Sequence, residues 1–438
     1  MEFLNSNPNR KFRLIKNNDF KLYVYGYLNI SDAKLFDILC TNNFPKIVKG
    51  QFAFVFLAKE YWIGCVDHLC TTNLYYTDNI ISPLFDTIVK NTQKLTQCNI
   101  FEEQLKLFHD WTVGPFTKYH EIKRIEHEHY VKNFISYRHS DILNQPICNF
   151  DIDQTYELLL NIVSKVNLNK SVLCLSGGKD SAFIAMLLKH LNYNPTLVNI
   201  VSKHLRTTVD IDACNLYRKE CGWKIHEYEV DKSGPITDDD NVFFQLWRDK
   251  TFPSKKHAVK NYLDSICLTG EVSARGGSRI QNIPHYFVNF EQPKIDDLTY
   301  YIMNSLINHF HYKPMNSIID VYNIPKTEGY QYIFEYYRNR LKEMDYPLHE
   351  KIWHVSGELR PIWRCWGQSQ DTSNNWFNIY TDWDLQNIFY NCPNSIKKDN
   401  NMVSKNLLRL IGKNKFKSWS DISWRFPSAG FVINDYRN

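Results

Sequence analysis

The spacing of hydrophobic and polar residues divides the chain into two parts with different predicted structure. The first 140 residues contain short runs rich in aromatic and β-branched residues, separated by turn-forming or polar residues. Such runs predict β-strands, and their close spacing favours packed antiparallel sheets. The runs lie at 20–28, 52–57, 61–66 and 73–76. Residues 32–39 instead fit a helix, with Ser31 or Asp32 as a candidate N-cap.

From Asp153 onward, helical and strand patterns alternate. Helices are predicted from Asp153, at 182–191 and at 210–221, and strands at 172–175, 196–201 and 223–230. This alternation predicts an α/β fold with a doubly wound parallel sheet, in which ligands bind at the carboxyl ends of the strands. The last third of the chain is predicted to be mostly helical, with a strongly amphipathic helix at 331–344.

A stretch without clear periodicity separates the two patterns. Residues 139–152 contain turn formers, and we place a linker at 141–152. The predicted α+β domain then covers 1–140, and the predicted α/β domain with its helical C-terminal part covers 153–438. Two domains agree with a length of 438 residues.

Composition narrows the class of protein. Hydrophobic residues make up 43% of the chain and charged residues 23%, as in soluble globular proteins. A net charge of +5 is too small to favour nucleic acid as a partner, and no apolar run predicts a membrane span. The N-terminus lacks a signal-peptide pattern, and the 11 cysteines include no CxxC pair. We therefore expect a cytoplasmic protein with reduced thiols.

The sequence Ser-Gly-Gly-Lys-Asp-Ser at 176–181 stands between a predicted strand and a predicted helix. Gly177 and Gly178 permit a tight loop, although a glycine pair alone would also fit a plain connection. A helix N-terminus behind such a loop presents free N–H groups and the positive end of the helix dipole, which together favour phosphate. Because Asp180 follows the lysine, the Walker pattern GxxxxGK[ST] is absent.

This SGGxDS pattern resembles the pyrophosphate loop of the ATP-pyrophosphatase superfamily, whose members cleave ATP between the α and β phosphates and adenylate a substrate. The resemblance implies ATP and Mg²⁺ as cofactors, with Asp180 as a metal ligand. It also implies that backbone near the end of the second strand holds adenine. The implied nucleotide-binding residues are Ser176, Gly177, Gly178, Lys179, Asp180, Ser181, Val201 and Ser202, together with Gly270 and Arg275 from a later segment.

Four fragments of the first part, in order, resemble the glutaminase domain of asparagine synthetases. They are 49–56, 65–67, 73–76 and 113–125, and the resemblance covers roughly residues 20–138. That family uses an N-terminal cysteine as its nucleophile, whereas position 2 is Glu2 and the first cysteine is Cys40. A carboxylate cannot replace a thiolate, so we expect a glutaminase-like domain that has lost glutamine hydrolysis. An unrelated β-sandwich is the alternative.

A second segment, 264–279, fits a strand followed by a glycine-rich loop. It resembles the asparagine synthetase sequence Leu-Ser-Gly-Glu-Gly-Ser-Asp-Glu through Leu268, Thr269, Gly270, Glu271 and Ser273. The resemblance implies that Glu271 assists the attack of an amine on the acyl-adenylate. The aspartate of the family's magnesium site falls on Ala274, and Arg275 and Arg279 offer positive charge for pyrophosphate instead. A flexible surface loop is the alternative.

Residues 382–393 and 405–409 resemble the helical cap of asparagine synthetases. In that family a catalytic lysine follows the cap, near an Arg-Lys-Lys sequence. Here Arg425 matches the arginine, but the lysine is missing. The candidates for its role are Lys417, Lys415 and Arg425 itself.

These resemblances imply an ATP-dependent synthetase that adenylates a carboxylate, releases pyrophosphate and forms an amide with ammonia or an amine. The substrate is a small molecule or a peptide, and the nitrogen comes from free ammonia, a partner subunit or the substrate itself; a homodimer is also open. Lys179 is more usual in relatives of phosphoadenylylsulfate reductase and sulfur-transfer proteins, so a sulfur-transferring enzyme is one alternative. A non-catalytic nucleotide-binding module is another, because Ala274 and Glu2 depart from the catalytic pattern.

Two clusters of metal-binding residue types have simpler interpretations. His127 and His129 would share one face of a strand, but no further His or Cys cluster lies nearby in the sequence, so we predict a solvent-exposed strand. The acidic triplet at 238–240 fits a helix N-terminus, where the dipole favours carboxylates.

Overall fold

The computed structural model has a mixed α/β architecture with antiparallel sheets and a parallel sheet of five strands. It forms two compact units: the first combines the N-terminal residues with helices from 294–345, and the second contains the five-stranded sheet. The structure describes residues 1–7, 10–45, 48–108, 112–140, 145, 150–175, 179–202, 208–230, 265–268, 294–311, 323–345, 351, 375–391, 411 and 414–415. Within these ranges, no helix combines the length and the apolar character needed to cross a membrane.

The first unit contains most of the β-structure. Its strands are β1 (Glu2–Phe3), β2 (Arg13–Lys16), β3 (Lys21–Leu28), β4 (Gly50–Leu57), β5 (Trp62–Val66), β6 (Tyr75–Tyr76), β7 (Ile80–Ser82), β8 (Lys123–Arg124), β9 (His129–Lys132) and β10 (Ile135–Arg138). Its helices are α1 (Asp32–Cys40), α2 (Phe85–Asn91), α3 (Asn99–Phe108), α7 (Ile295–His311) and α8 (Glu328–Glu343).

Two sheets form the core of this unit. The larger sheet has the order β10-β9-β5-β4-β3-β2 with antiparallel neighbours, and the smaller has the order β1-β7-β6-β8, in which β1 and β7 are parallel. Alternate side chains of β4 lie on opposite faces of the larger sheet. Its three phenylalanines pack against α1 on one face, and Ala53 and Val55 pack against Ile81 and Ile125 on the other. The predicted antiparallel strands of the first part are confirmed.

Helix α1 begins where the sequence predicted. The Ser31 hydroxyl accepts a hydrogen bond from the N–H of Lys34 at 3.3 Å, which identifies Ser31 as the N-cap. Helices α2 and α3 were not predicted, since the residue pattern of the first 140 residues indicated a helix only at 32–39.

Helix α8 packs against α3 and α7. The backbone N–H of Gly329 donates to the Glu103 carboxylate at 2.6 Å, and a Cβ at position 329 would lie 2.6 Å from the Glu103 Cβ. Glycine therefore permits the close approach of α8 to α3. Residues 294–345 were assigned from sequence to the domain at 153–438, yet α7 and α8 belong to the first compact unit.

A buried ion pair connects α8 to the turn that precedes β9. The side chains of Glu128 and Arg340 are 0% and 2% exposed and lie 3.4 Å apart. Arg340 also lies 3.8 Å from Glu343, and Glu343 accepts a hydrogen bond from Arg138 at 2.8 Å. Four charges thus form a chain that runs from a buried turn to the surface.

The prediction of a solvent-exposed strand at 127–129 is wrong. His127 and Glu128 form a turn, both are buried, and only His129 belongs to β9. Glu128 has a φ of +62°, a conformation that non-glycine residues seldom adopt. The two-residue spacing of the histidines suggested alternation, but the left-handed residue between them breaks the strand pattern.

The second unit is built on the parallel sheet, with the order β13-β12-β11-β14-β15. Its strands are β11 (Ser171–Cys174), β12 (Thr196–Ser202), β13 (Ile225–Val230), β14 (Ile266–Leu268) and β15 (Asn375–Phe377). Its helices are α4 (Ile152–Ser164), α5 (Lys179–His190), α6 (Thr208–Cys221) and α9 (Trp383–Asn391), with a 3-10 turn at Ile379–Thr381. The alternation of strands and helices predicted between 153 and 230 is confirmed.

We expect the Arg340→Met substitution to destabilise the protein by about 3–5 kcal/mol, because it leaves the Glu128 carboxylate buried without its partner. The double variant Glu128→Gln/Arg340→Met should lose less than Arg340→Met alone, since no buried charge remains. Urea unfolding of the full-length chain measures both.

Arg338→Met is the matched control, because Arg338 lies on the same helix and pairs with Asp296 at the surface. Its loss should destabilise the protein far less than the loss of Arg340, because water screens an exposed ion pair. Equal destabilisation by the Arg338 and Arg340 variants would show that burial of the pair does not matter.

Candidate functional site

Strand β11 lies in the centre of the parallel sheet, between β12 and β14. Cys174 is aligned with Val198 on one side, and Leu173 is aligned with Leu268 on the other. Because the strands are parallel, their carboxyl ends lie at the same edge, where open α/β sheets bind ligands. The sequence Ser-Gly-Gly-Lys-Asp-Ser follows the last residues of this central strand.

Helix α5 begins at Lys179, within the 176–181 segment, and is 12 residues long. Residues 182–188 are all buried, as their apolar character predicted, and the side chain of Ser181 is buried with them. Three residues therefore separate Leu175, at the end of the strand region, from the N-terminus of the helix at Lys179. Its free N–H groups and dipole make this edge of the sheet suitable for an anion.

The end of β11 is held by two residues of β12. The N–H of Leu175 donates to the carbonyl of Val198 at 2.8 Å, and the Nδ2 of Asn199 donates to the carbonyl of Leu175 at 2.9 Å. Asn199 is 1% exposed, and its Oδ1 is buried without a hydrogen-bond donor. The orientation of the amide is fixed, because a carbonyl can only accept.

The structure locates some of the predicted site residues. Ser181 lies in the first turn of α5, and Val201 and Ser202 are the last residues of β12, one strand away from β11. For Lys179 and Asp180 the structure describes the helical backbone but not the side chains. The remaining predicted residues lie outside the described ranges: Ser176, Gly177, Gly178, Gly270, Glu271, Arg275, Lys417 and Arg425, with Ala274, Arg279 and the triplet at 238–240.

The structure describes Lys415, one of the candidates for the catalytic lysine, beside helix α4. Its amine forms an ion pair with Asp153, near the start of α4. The lysine therefore has a carboxylate partner in this state, and nothing in its described surroundings joins it to the carboxyl edge of the sheet.

The first unit contains a second polar cluster, centred on Asp67. This buried carboxylate accepts hydrogen bonds from the N–H groups of Phe52 at 3.2 Å, Leu69 at 2.8 Å and Thr71 at 3.2 Å, and from the Thr71 hydroxyl. Burial raises the pKa of Asp67 to about 6, although these hydrogen bonds act in the opposite direction. The hydrogen bonds of Asp67 hold the backbone on both sides of it.

His139 lies beside this cluster and was assigned from sequence to a turn-rich stretch. Its Nε2 donates to the carbonyl of Val66 at 2.8 Å, and its backbone N–H donates to the carbonyl of Glu128 at 2.8 Å. Burial lowers the pKa of His139 to about 4, so the ring is neutral at pH 7. No sequence pattern marked this residue, because its burial depends on contacts with distant strands.

Seven cysteines are free thiols: Cys40, Cys65, Cys70, Cys98, Cys174, Cys214 and Cys267. Burial, with Asp67 and Cys70 nearby, raises the pKa of Cys65 well above its usual range. Burial and the neighbouring Asp37 also raise the pKa of Cys40. A raised pKa lowers the thiolate fraction, so neither thiol is activated as a nucleophile.

Across the ranges that the structure describes, no group of three His, Cys, Asp or Glu side chains is placed to hold a metal ion. His127 and His129 accordingly form no such site.

No protein-family model matches the chain, and no curated protein matches its sequence.

We expect acid to destabilise the protein through His139. Its folded pKa lies below the unfolded value of about 6.5, so its contribution is present above pH 6.5 and is lost as the pH falls towards 4. The expected loss is about 2 kcal/mol between pH 7 and pH 4.5. Asp67 has the opposite effect on stability as the pH falls. Because its pKa is raised, the folded state binds a proton at a higher pH than the unfolded chain does, and this protonation favours the folded state.

The His139→Gln variant tests this assignment, because glutamine retains a donor for Val66 and does not titrate. Its urea midpoint should fall less than that of the wild type between pH 7 and pH 4.5. His120→Gln, at an exposed position, is the control and should behave as the wild type does. Parallel pH profiles for all three proteins would contradict the assignment.

Proposed function

We propose that the chain is an ATP-dependent synthetase that adenylates a carboxylate and transfers the acyl group to ammonia or an amine. One observation carries the proposal: the central strand of a parallel sheet leads through Ser-Gly-Gly-Lys-Asp-Ser into the N-terminus of a buried helix. This combination of sequence and topology suits the pyrophosphate group of ATP.

Three segments of the chain contribute to the proposed site. The 176–181 segment binds the phosphates through N–H groups, and the end of β12 at Val201 and Ser202 lies beside adenine. The segment after β14 supplies Gly270, Glu271 and Arg275, because β14 is the other neighbour of β11. Asp180 would hold Mg²⁺, which supplies positive charge to the phosphate oxygens when it is bound.

The reaction has two steps. In the first, a substrate carboxylate oxygen attacks the α-phosphorus, the bond to the bridging oxygen breaks, and pyrophosphate leaves. Positioning and charge neutralisation by the loop, Arg275 and either Lys417 or Arg425 supply most of the catalysis. In the second step Glu271 accepts a proton from the amine, which attacks the acyl carbon and displaces AMP.

The proposed nitrogen source is ammonia or an amine, without glutamine hydrolysis in the first unit. Two of its described cysteines, Cys40 and Cys65, have raised pKa values, which favour the neutral thiol over the thiolate. Asp67 lies in a fragment whose sequence resembles the glutaminase domain, and its carboxylate accepts hydrogen bonds from backbone N–H groups. The first unit would then serve as a structural platform.

We expect Asp180→Asn to lower ATP–pyrophosphate exchange about 100-fold or more, since it removes a charge from the proposed magnesium site. The assay follows labelled pyrophosphate into ATP with a panel of candidate carboxylates. Asp153→Asn is the control, because that carboxylate is on the surface of α4 with its side chain 78% exposed. ATP binding without exchange on any carboxylate would favour a nucleotide-binding module instead.

Glu271→Gln should separate the two steps. Exchange should persist, because adenylation precedes the proton transfer, while amide formation from ammonium should fall about 100-fold to 10,000-fold. Equal loss of both activities would remove Glu271 from its proposed role. Turnover of the wild type with glutamine as the sole nitrogen source would contradict the loss of glutaminase activity.

A further inference from the structure

We infer that strand β10 is a docking edge for a second copy of this chain, which pairs its own β10 antiparallel to the first. Strand β10 (Ile135–Arg138) is the outermost strand of the larger sheet, next to β9. In the dimer, the two larger sheets join across a two-fold axis at Ser136 and form one continuous sheet.

The main chain of Ser136 faces the open edge of the sheet. The N–H of His139 donates to the carbonyl of Glu128 at 2.8 Å, which continues the ladder between β10 and β9. Main-chain groups alternate in direction along a strand, so Ser136 directs its N–H and its carbonyl away from β9. No strand of the described residues pairs with β10 on that side. Such an edge is a template for another strand.

The hairpin of β9 and β10 also exposes apolar side chains. Among the described residues, five large hydrophobic side chains are exposed, and three of them lie within four positions of this hairpin. Phe134 is 50% exposed, Ile135 57% and Tyr137 41%. Because exposed apolar residues that lie together mark interaction sites, this edge fits a partner with an apolar strand.

A row of aromatic rings leads from the core of the first unit to this edge. The ring of Phe44 stacks on Tyr130 of β9, with centroids 3.8 Å apart. Tyr130 in turn stacks on Tyr137 of β10, with centroids 5.1 Å apart. The row ends at Tyr137, so a strand added at the edge would extend it with its own side chains.

One register makes β10 complementary to itself. When Ser136 lies opposite Ser136 of the second copy, Ile135 of each copy lies opposite Tyr137 of the other. Pairs of an aromatic and a β-branched residue are among the favourable cross-strand pairs. The two-fold axis forms this pair twice, and both pairs lie on the face that carries the aromatic row.

The charges of the hairpin agree with the same register. Arg138 would lie beside the exposed ring of Phe134 of the second copy, so like charges do not face each other, and a guanidinium is attracted to an aromatic face. An axis at Tyr137 would instead set Ile135 against His139, which is buried. The register centred on Ser136 is therefore the one that covers the exposed apolar residues.

Sedimentation velocity of the full-length chain at increasing concentration tests the inference. We expect a monomer–dimer equilibrium with a Kd of about 1–100 µM, because short strands and their side chains form an interface at the low end of the specific range. A chain that stays monomeric well above this range would overturn the inference, and would leave the edge to an extended peptide of another protein.

Ser136→Pro should raise the Kd of the dimer at least about tenfold, because proline lacks the outward N–H. The bonds between β10 and β9 remain, since proline is tolerated where an edge strand faces solvent. Leu14→Asp is the matched control: Leu14 is an exposed apolar residue of β2, the opposite edge strand of the same sheet. Its Kd should stay within about twofold of the wild type. Equal losses in both variants would overturn the inference.

Ser136→Asp and Ser136→Lys test the second copy and the register together. Like charges would face each other at the axis, so each variant alone should dimerise about threefold or more weakly than the wild type. A mixture of the two should dimerise more tightly than either variant alone, and a mixture that does not would overturn the inference.

These two substitutions also serve if the proline variant does not fold, because position 136 is exposed. None of the measurements contains a nucleotide. A monomeric wild type therefore overturns the dimer alone and leaves the proposed function to the exchange assay.

Discussion

The carboxylate of Asp67 organises the first unit. It lies directly after β5 and binds backbone N–H groups from β4 and from the turn that leads towards β6. Its own carbonyl accepts from the N–H of Cys70 at 3.1 Å and of Glu128 at 3.5 Å. One side chain therefore fixes the passage of the chain from the larger sheet to the smaller, since buried N–H groups need partners.

The same region contains several groups that water would normally solvate. Glu128 combines a left-handed backbone with a fully buried carboxylate, and its partner Arg340 comes from a helix 212 residues later in the chain. The neutral ring of His139 is bonded to the carbonyl of Val66, and its backbone N–H donates to the carbonyl of Glu128. Each group tolerates burial because a specific partner is in place, so these contacts define the arrangement of strands more sharply than apolar packing alone.

Much of the second unit could be predicted from sequence. The continuous apolar character of 172–175 and the helical residues after Ser181 marked the central strand and α5, and both are confirmed within a few residues. Local patterns suffice there because a buried parallel strand and its helix each carry a distinctive composition. Asn199 was not predicted, since its hydrogen bond to Leu175 depends on the register between two strands of the sheet.

The first unit was harder to predict. The exposed strand expected at 127–129 is a buried turn, because Arg340 neutralises Glu128 and no local pattern indicates so distant a partner. Helices α2 and α3 were also missed, and α3 packs against α8, more than 200 residues later in the chain. Long-range electrostatics and helix packing, rather than periodicity, decide the structure of these segments.

The order of the chain through the two units affects how the protein can fold. The chain builds the sheets of the first unit and enters the second. It returns to the first for α7 and α8, and finally adds β15 to the edge of the parallel sheet. During synthesis, Glu128 is made well before its partner Arg340, and β14 is made well before its neighbour β15. Neither unit is complete when its first strands leave the ribosome, so their assembly is coupled in time, and cutting the chain near residue 150 would leave both with unfinished cores.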